Sequence, residues 1–94
     1  TGNGELPFSY SLSQNYPNPF NPETQINYSI PAKQFVSIKI FDMLGRQVSQ
    51  LVNGVSEAGN YSVAFNGSGL SSGIYYYKIE TEGFVETKRM VLVK

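Results

Sequence analysis

Residues 15–24 read Asn-Tyr-Pro-Asn-Pro-Phe-Asn-Pro-Glu-Thr, and no other stretch restricts the fold as strongly. Pro17, Pro19 and Pro22 fall within six residues. Each fixes its own φ and lacks an N–H donor. Each also pushes the residue before it (Tyr16, Asn18, Asn21) towards extended or polyproline geometry. Neither a helix nor a central strand can run through such a segment. Tyr16 and Phe20 interrupt the prolines with large rings, which are expected to be buried. A stiff, kinked rope with two aromatic anchors suits a chain crossing between the sheets of a sandwich.

The flanking sequence supplies those sheets. Tyr10 and Leu12 alternate with Ser9, Ser11 and Ser13, a short edge-strand signal. Residues 24–30 place Ile26, Tyr28 and Ile30 on one face and Gln25, Asn27 and Ser29 on the other. Pro31 ends that strand. Residues 35–41 put Val36, Ile38 and Ile40 inward, with Phe35 and Phe41 on a partly covered outer face. Asp42-Met43-Leu44-Gly45 suits a type I turn with a left-handed glycine bulge, and residues 46–52 return as the partner strand. Asn53-Gly54 is a turn signal, and Ala58-Gly59 closes that loop.

Tyr61, Val63 and Phe65 mark the next strand, turned by Asn66-Gly67-Ser68-Gly69. Leu70-Ser71-Ser72-Gly73-Ile74-Tyr75 resembles a tyrosine corner, in which a phenol bonds backbone upstream while its ring fills the core. Tyr75, Tyr77 and Ile79 then face in. Glu82-Gly83 turns the chain into residues 84–93, whose apolar close, Met90-Val91-Leu92-Val93, predicts a strand covered on both faces. Period 3.6 is nowhere sustained. Short alternating segments, with turn signals roughly every eight to twelve residues, predict an all-β, seven-stranded antiparallel immunoglobulin- or fibronectin-like β-sandwich. Residues 1–5 read as a linker remnant and residues 6–94 as one β-sandwich domain.

Composition narrows function by exclusion. Seven Lys+Arg balance seven Asp+Glu, which argues against nucleic acid as a partner. Cysteine and histidine are both absent, which removes zinc sites, thiol chemistry and any triad with a histidine base. No run approaches a membrane span, so no direct membrane insertion is expected. The carboxylates are Glu5, Glu23, Asp42, Glu57, Glu80, Glu82 and Glu86. Glu80, Glu82 and Glu86 flank one hairpin, where charges are ordinarily solvated and not a glycosidase pair. Asp42 is the only Asp, too little for a calcium loop. No catalytic residue, metal or cofactor is expected.

Tyr76, with Phe41 or Phe35, can form a sugar- or partner-binding platform. The same residues can instead be ordinary cross-strand pairs. Lys88, Arg89 and Lys94 form a small basic patch, either gatekeepers beside an aggregation-prone strand or a feature another protein reads. Three Asn-x-Ser matches, at Asn27, Asn60 and Asn66, are the number chance allows in so Asn- and Ser-rich a chain.

Four linked segments resemble one family. They are Leu12-Ser13-Gln14-Asn15-Tyr16-Pro17-Asn18-Pro19-Phe20-Asn21-Pro22-Glu23-Thr24, residues 36–46, Leu70-Ser71-Ser72-Gly73-Ile74-Tyr75, and Lys88-Arg89-Met90-Val91-Leu92-Val93-Lys94. In order and spacing they resemble the type A C-terminal sorting domain of type IX secretion cargo. A looser likeness is to the immunoglobulin-like domain of flagellar hook-capping proteins.

The resemblance implies a non-catalytic signal at the end of a secreted cargo protein of Bacteroidetes-type bacteria. An ordinary signal peptide far upstream would bring the cargo to the periplasm. The implied partners are the outer-membrane translocon, a sortase-like cysteine peptidase and the rest of the cargo before Thr1. The peptidase would cut within or before residues 1–6 and join the cargo to lipopolysaccharide at the cell surface. The implied signal residues are Pro17, Asn18, Pro19, Gly73, Tyr75, Lys88, Met90, Val91 and Lys94, on a domain expected to be a monomer. Two other classes stay open: a carbohydrate-binding or adhesion module, and a structural spacer or assembly domain.

Overall fold

The computed structural model describes residues 9–94. The linker assigned to residues 1–5, and the start of the apolar pattern at 6–8, lie outside the described residues. Seven strands follow in order: β1 Ser11–Leu12, β2 Glu23–Ile30, β3 Gln34–Phe41, β4 Gln47–Ser56, β5 Gly59–Asn66, β6 Gly73–Thr81 and β7 Val85–Leu92. They form a three-stranded sheet, β1-β2-β5, and a four-stranded sheet, β4-β3-β6-β7. Every strand pairing is antiparallel. The protein is an all-β sandwich.

Alternation in sequence becomes the core directly. Leu12, Ile26, Tyr28, Ile30 and Phe65 from one sheet meet Val36, Ile38, Ile40, Tyr75, Tyr77, Ile79, Met90 and Leu92 from the other. Each aliphatic side chain so buried contributes on the order of 1.5–3 kcal/mol. Aromatic pairs add to this: Tyr28 stacks on its cross-strand partner Tyr61 at 5.2 Å, and Phe20 meets Phe65 edge-on at 6.0 Å.

The β3–β4 turn is the one its residues specify. Gly45 N–H donates to the Asp42 carbonyl at 3.0 Å, and Gly45 has φ +84°, a conformation a side chain would strain. Asn53-Gly54, by contrast, is no turn. It lies inside β4, with Asn53 opposite Ser37 and Gly54 opposite Val36. The chain reverses later, at Glu57 and Ala58. Cross-strand pairing along the whole of β3 outweighs the local turn preference of the dipeptide. The β3–β4 register also shifts twice, between Ile38 and Lys39 and between Ile40 and Phe41, leaving Leu51 and Val48 as the extra residues. These bulges let Val48, Leu51 and Val52, which do not alternate in sequence, all pack against the core.

Two further expectations need correction. β7 is an edge strand and not covered on both faces. Met90 and Leu92 are fully buried, but Val91 is only half-buried and Val93 is 49% exposed. The final apolar run therefore still alternates. Tyr16 is the second correction. Phe20 is buried, with 1% of its surface exposed, whereas Tyr16 is 81% exposed.

Both rings nonetheless sit where the rope is fixed. Tyr16 bridges antiparallel to Gln25 of β2, and Phe20 bridges parallel to Leu92 of β7. The proline segment thus crosses from one sheet to the other and closes that side of the sandwich.

Candidate functional site

The rope supplies hydrogen-bond donors and acceptors to the one strand edge that ends the chain. Phe20 N–H donates to the Val91 carbonyl at 2.9 Å, and Val93 N–H donates to the Phe20 carbonyl at 2.9 Å. Between them, Val91 N–H donates to Asn18 Oδ1 at 3.0 Å. One turn upstream, Gln14 Nε2 donates to the Arg89 carbonyl at 2.6 Å. The outer edge of β7 from Arg89 to Val93 is therefore occupied by residues 14–20. An exposed edge is a template for unwanted pairing. Proline geometry suits this task, since Asn18 and Phe20 reach the edge without the rope forming a strand of its own.

The first half of β7 is guarded differently. Alternation places Glu86 and Lys88 on the same, inward-pointing side as Met90 and Leu92. Lys88 Nζ lies 3.3 Å from Glu86 Oε2. Inward-pointing charge is one way a sheet edge resists pairing, and the Lys88–Glu86 pair is placed where it can do so. Arg89 lies opposite Tyr76, on the outer face.

A buried polar cluster holds the rope from beneath. Asn15 is buried, and its Nδ2 donates to the Pro17 carbonyl at 3.1 Å and to Thr24 Oγ1 at 3.0 Å. Thr24 Oγ1 donates in turn to the Pro17 carbonyl at 2.9 Å. From the opposite sheet, Tyr77 Oη accepts Asn15 N–H at 2.8 Å and donates to the Ser13 carbonyl at 2.6 Å. Burial pushes the Tyr77 phenol up to about 12; the Asn15 N–H lowers it and the Glu86 carboxylate raises it. Every buried polar atom in this cluster has a partner, which makes it a rigid mount.

The corner lies beside the end of β7. Tyr75 Oη donates to the Ser71 carbonyl at 2.7 Å, as the motif predicts, and its ring is buried. Gly73, with φ +152°, faces Leu92 across the β6–β7 pairing, and Tyr75 faces Met90. Lys94 closes the set. Its N–H donates to Ser72 Oγ at 3.0 Å and its Nζ to the Ser68 carbonyl at 2.6 Å.

Asn18, Gly73, Tyr75, Met90, Val91 and Lys94 thus gather at one end of the sandwich. Pro17 and Pro19 frame Asn18 on the exposed face of the rope. Lys88 stands apart, opposite Tyr77 further along β7. Gln14, Asn15, Thr24 and Tyr77 hold the arrangement together; the sequence places the first three in or beside the rope and Tyr77 in the core, without showing that they bond to one another. Their role depends on closure against the other sheet.

The assembly also matches a known sequence pattern. A family model described as the secretion system C-terminal sorting domain matches residues 14–94. The chain belongs to this family. The sorting domain is a C-terminal signal of the type IX secretion system, a system found in Bacteroidetes. It marks a cargo protein for recognition by that system and for delivery out of the cell, to the cell surface or the extracellular space. No curated protein matches the sequence.

Tyr76 lies directly opposite Phe41 in the β3–β6 register, a cross-strand pair. Phe35 is opposite Val55. It stands six residues from Phe41, roughly 20 Å along the strand, so of the two phenylalanines only Phe41 adjoins Tyr76. Glu80 lies 3.8 Å from Lys78 and Glu57 lies 3.6 Å from Lys33, both exposed pairs. Such pairs contribute little to stability. Among the described residues, no three carboxylates cluster as metal ligands, and no helix is long and apolar enough to cross a membrane.

Proposed function

We propose that the type IX translocon reads this domain after it has folded, through the surface where the rope meets the end of β7. The signal residues proposed at that junction are Pro17, Asn18, Pro19, Gly73, Tyr75, Met90, Val91 and Lys94, with Lys88 further along β7. Tyr75 and Met90 act from the core by fixing backbone positions, while Asn18, Val91 and Lys94 present groups outward. The observation that carries the reading is the bond from Val91 N–H to Asn18 Oδ1. It joins segments 73 residues apart, so an unfolded chain does not present them together.

The domain is then the substrate of the machinery and not an enzyme. Residues 6–94 form the signal, and residues 1–5 are a linker remnant. A sortase-like peptidase cuts within or before residues 1–6, releasing the cargo for attachment to lipopolysaccharide. The cargo transits the periplasm first. A signal recognised by shape needs rigidity and not charge, which fits a chain of zero net charge with proline-stiffened and fully hydrogen-bonded recognition elements.

The test is to place this chain at the C-terminus of a neutral reporter in a cell with a type IX system. Export of the reporter is expected. A reporter that stays in the periplasm, with the domain folded, contradicts the reading.

A further inference from the structure

Tyr16 is one of several large apolar side chains, with Leu44 and Met43, that the fold leaves exposed, and among the described residues it is the aromatic one exposed furthest. Its backbone is fixed: its N–H donates to the Gln25 carbonyl at 3.0 Å, its carbonyl accepts Gln25 N–H at 2.9 Å, and Pro17 follows. The ring itself is 81% exposed. The ring therefore stands on a fixed mount with most of its surface open to a partner.

The ring walls a groove of about 330 Å³ with Pro17, Glu23, Thr24, Gln25 and Ala64. Glu23 is the only charged residue in β1, β2 and β5 together. Its polar contact is Asn66 Nδ2 at 3.3 Å. No cation lies within ion-pair distance of it among the described residues. Among the described residues, Lys33, Arg46, Lys78 and Lys88 are each paired with another carboxylate, and Lys94 Nζ is bonded to Ser68. Lys39 and Arg89 belong to strands of the other sheet.

We propose that the Tyr16–Glu23 groove takes an arginine side chain of the secretion machinery. The inference rests on the sorting reading above and adds a contact to it. A planar guanidinium stacks on an aromatic face and presents a fork of N–H donors that matches a carboxylate. Tyr16 supplies the face, Glu23 the acceptor, and Gln25 a further polar group on the same wall. A lysine ammonium is compact and strongly hydrated, and cannot stack in this way. The lone carboxylate disfavours an anionic occupant.

Two measurements test it. N-acetyl-arginine amide is titrated into the isotopically labelled full chain, and backbone amide shifts are followed. Saturable shifts at Tyr16, Glu23, Gln25 and Ala64 are expected, weakening on the order of fivefold with Glu23→Gln or with the neutral analogue N-acetyl-citrulline amide. Shifts equal for both probes, or unchanged by Glu23→Gln, overturn the assignment.

In the reporter fusion, Tyr16→Ser and Glu23→Gln are each expected to keep the wild-type melting temperature and slow export. Normal export of both variants overturns the inference while the wild-type fusion still supports the sorting reading. Failure of the wild-type fusion to be exported counts against that reading itself. Loss with Tyr16→Ser but normal export with Glu23→Gln contradicts an arginine and points to a neutral occupant. Glu23→Gln leaves the prolines and the Tyr16–Gln25 pairing in place, so it decides the matter if Tyr16→Ser fails to fold.

Discussion

Tyr77 donates its hydroxyl proton to the Ser13 carbonyl at 2.6 Å, across the sandwich and 64 residues away in the chain. The same oxygen accepts Asn15 N–H at 2.8 Å. One phenol therefore satisfies two main-chain groups at the start of the rope. Tyr77→Phe keeps the ring and strands both. A loss of about 2–4 kcal/mol is expected, since each unsatisfied buried group costs about 1–3 kcal/mol. Urea denaturation measures it, and a loss below about 1 kcal/mol would mean that water replaces the hydroxyl.

The same phenol makes the fold sensitive to alkali. Its pKa is pushed up from the ordinary 10.0 to about 12 by burial. Tyr28 is also raised, by burial first and by Tyr61 second. The folded state holds these protons more tightly than the unfolded chain does. Stability from Tyr77 is thus complete below pH 10 and falls as pH rises through about 12. Melting temperature against pH checks this: the alkaline decline is expected to be shallower in Tyr77→Phe than in the wild type.

Tyr75 is expected to behave more mildly. Its hydroxyl makes a single bond to the Ser71 carbonyl. Tyr75→Phe is expected to cost about 1 kcal/mol with the core intact. Near-ultraviolet circular dichroism should be conserved while the urea midpoint falls.

Asp42 governs the opposite end of the pH range. The Arg46 backbone N–H, assisted by the Arg46 guanidinium and the Leu44 N–H, holds its carboxyl below the ordinary 3.8. Its contribution is complete above the ordinary carboxylate range and falls as pH drops through the depressed value. Asp42→Ala is expected to remove that acid sensitivity and to speed amide exchange at Leu44 and Arg46. Unchanged exchange at both would show that Gly45 alone sets the turn.

Much of this was legible in the residues because local pattern and global fold agree. Residues 23–28 alternate with one face buried, though Ser29 breaks the pattern by being buried beside Ser11, and the Gly73–Tyr75 corner formed as its spacing predicts. Asn53-Gly54 misled because its turn preference is local, whereas β3 needs a partner along its full length. Tyr16 misled because ring size argues for burial, while the rope's path turns it outward. The Asn15 network could not be read at all, since its partners come from Thr24 in one sheet and Tyr77 in the other. The final strand proved inseparable from the core. Removing residues 90–94 takes out Met90 and Leu92, both fully buried, and so cannot separate signal from fold.

The contact between rope and final strand can be loosened at its side-chain bonds, while Phe20 keeps its two main-chain bonds to β7. Gln14 and Asn18 are exposed, and each gives one side-chain bond to the β7 edge; Gln14 Nε2 also donates to Asn15 Oδ1 at 2.7 Å, a bond that the variant gives up as well. The double variant Gln14→Ala, Asn18→Ala is expected to remain folded, at a cost of about 1 kcal/mol per bond. Export of a reporter carrying it is the decisive measurement. A folded, melting-competent domain whose reporter is retained in the cell is the expected result. Export at the wild-type rate would contradict a signal built from the joined rope and strand.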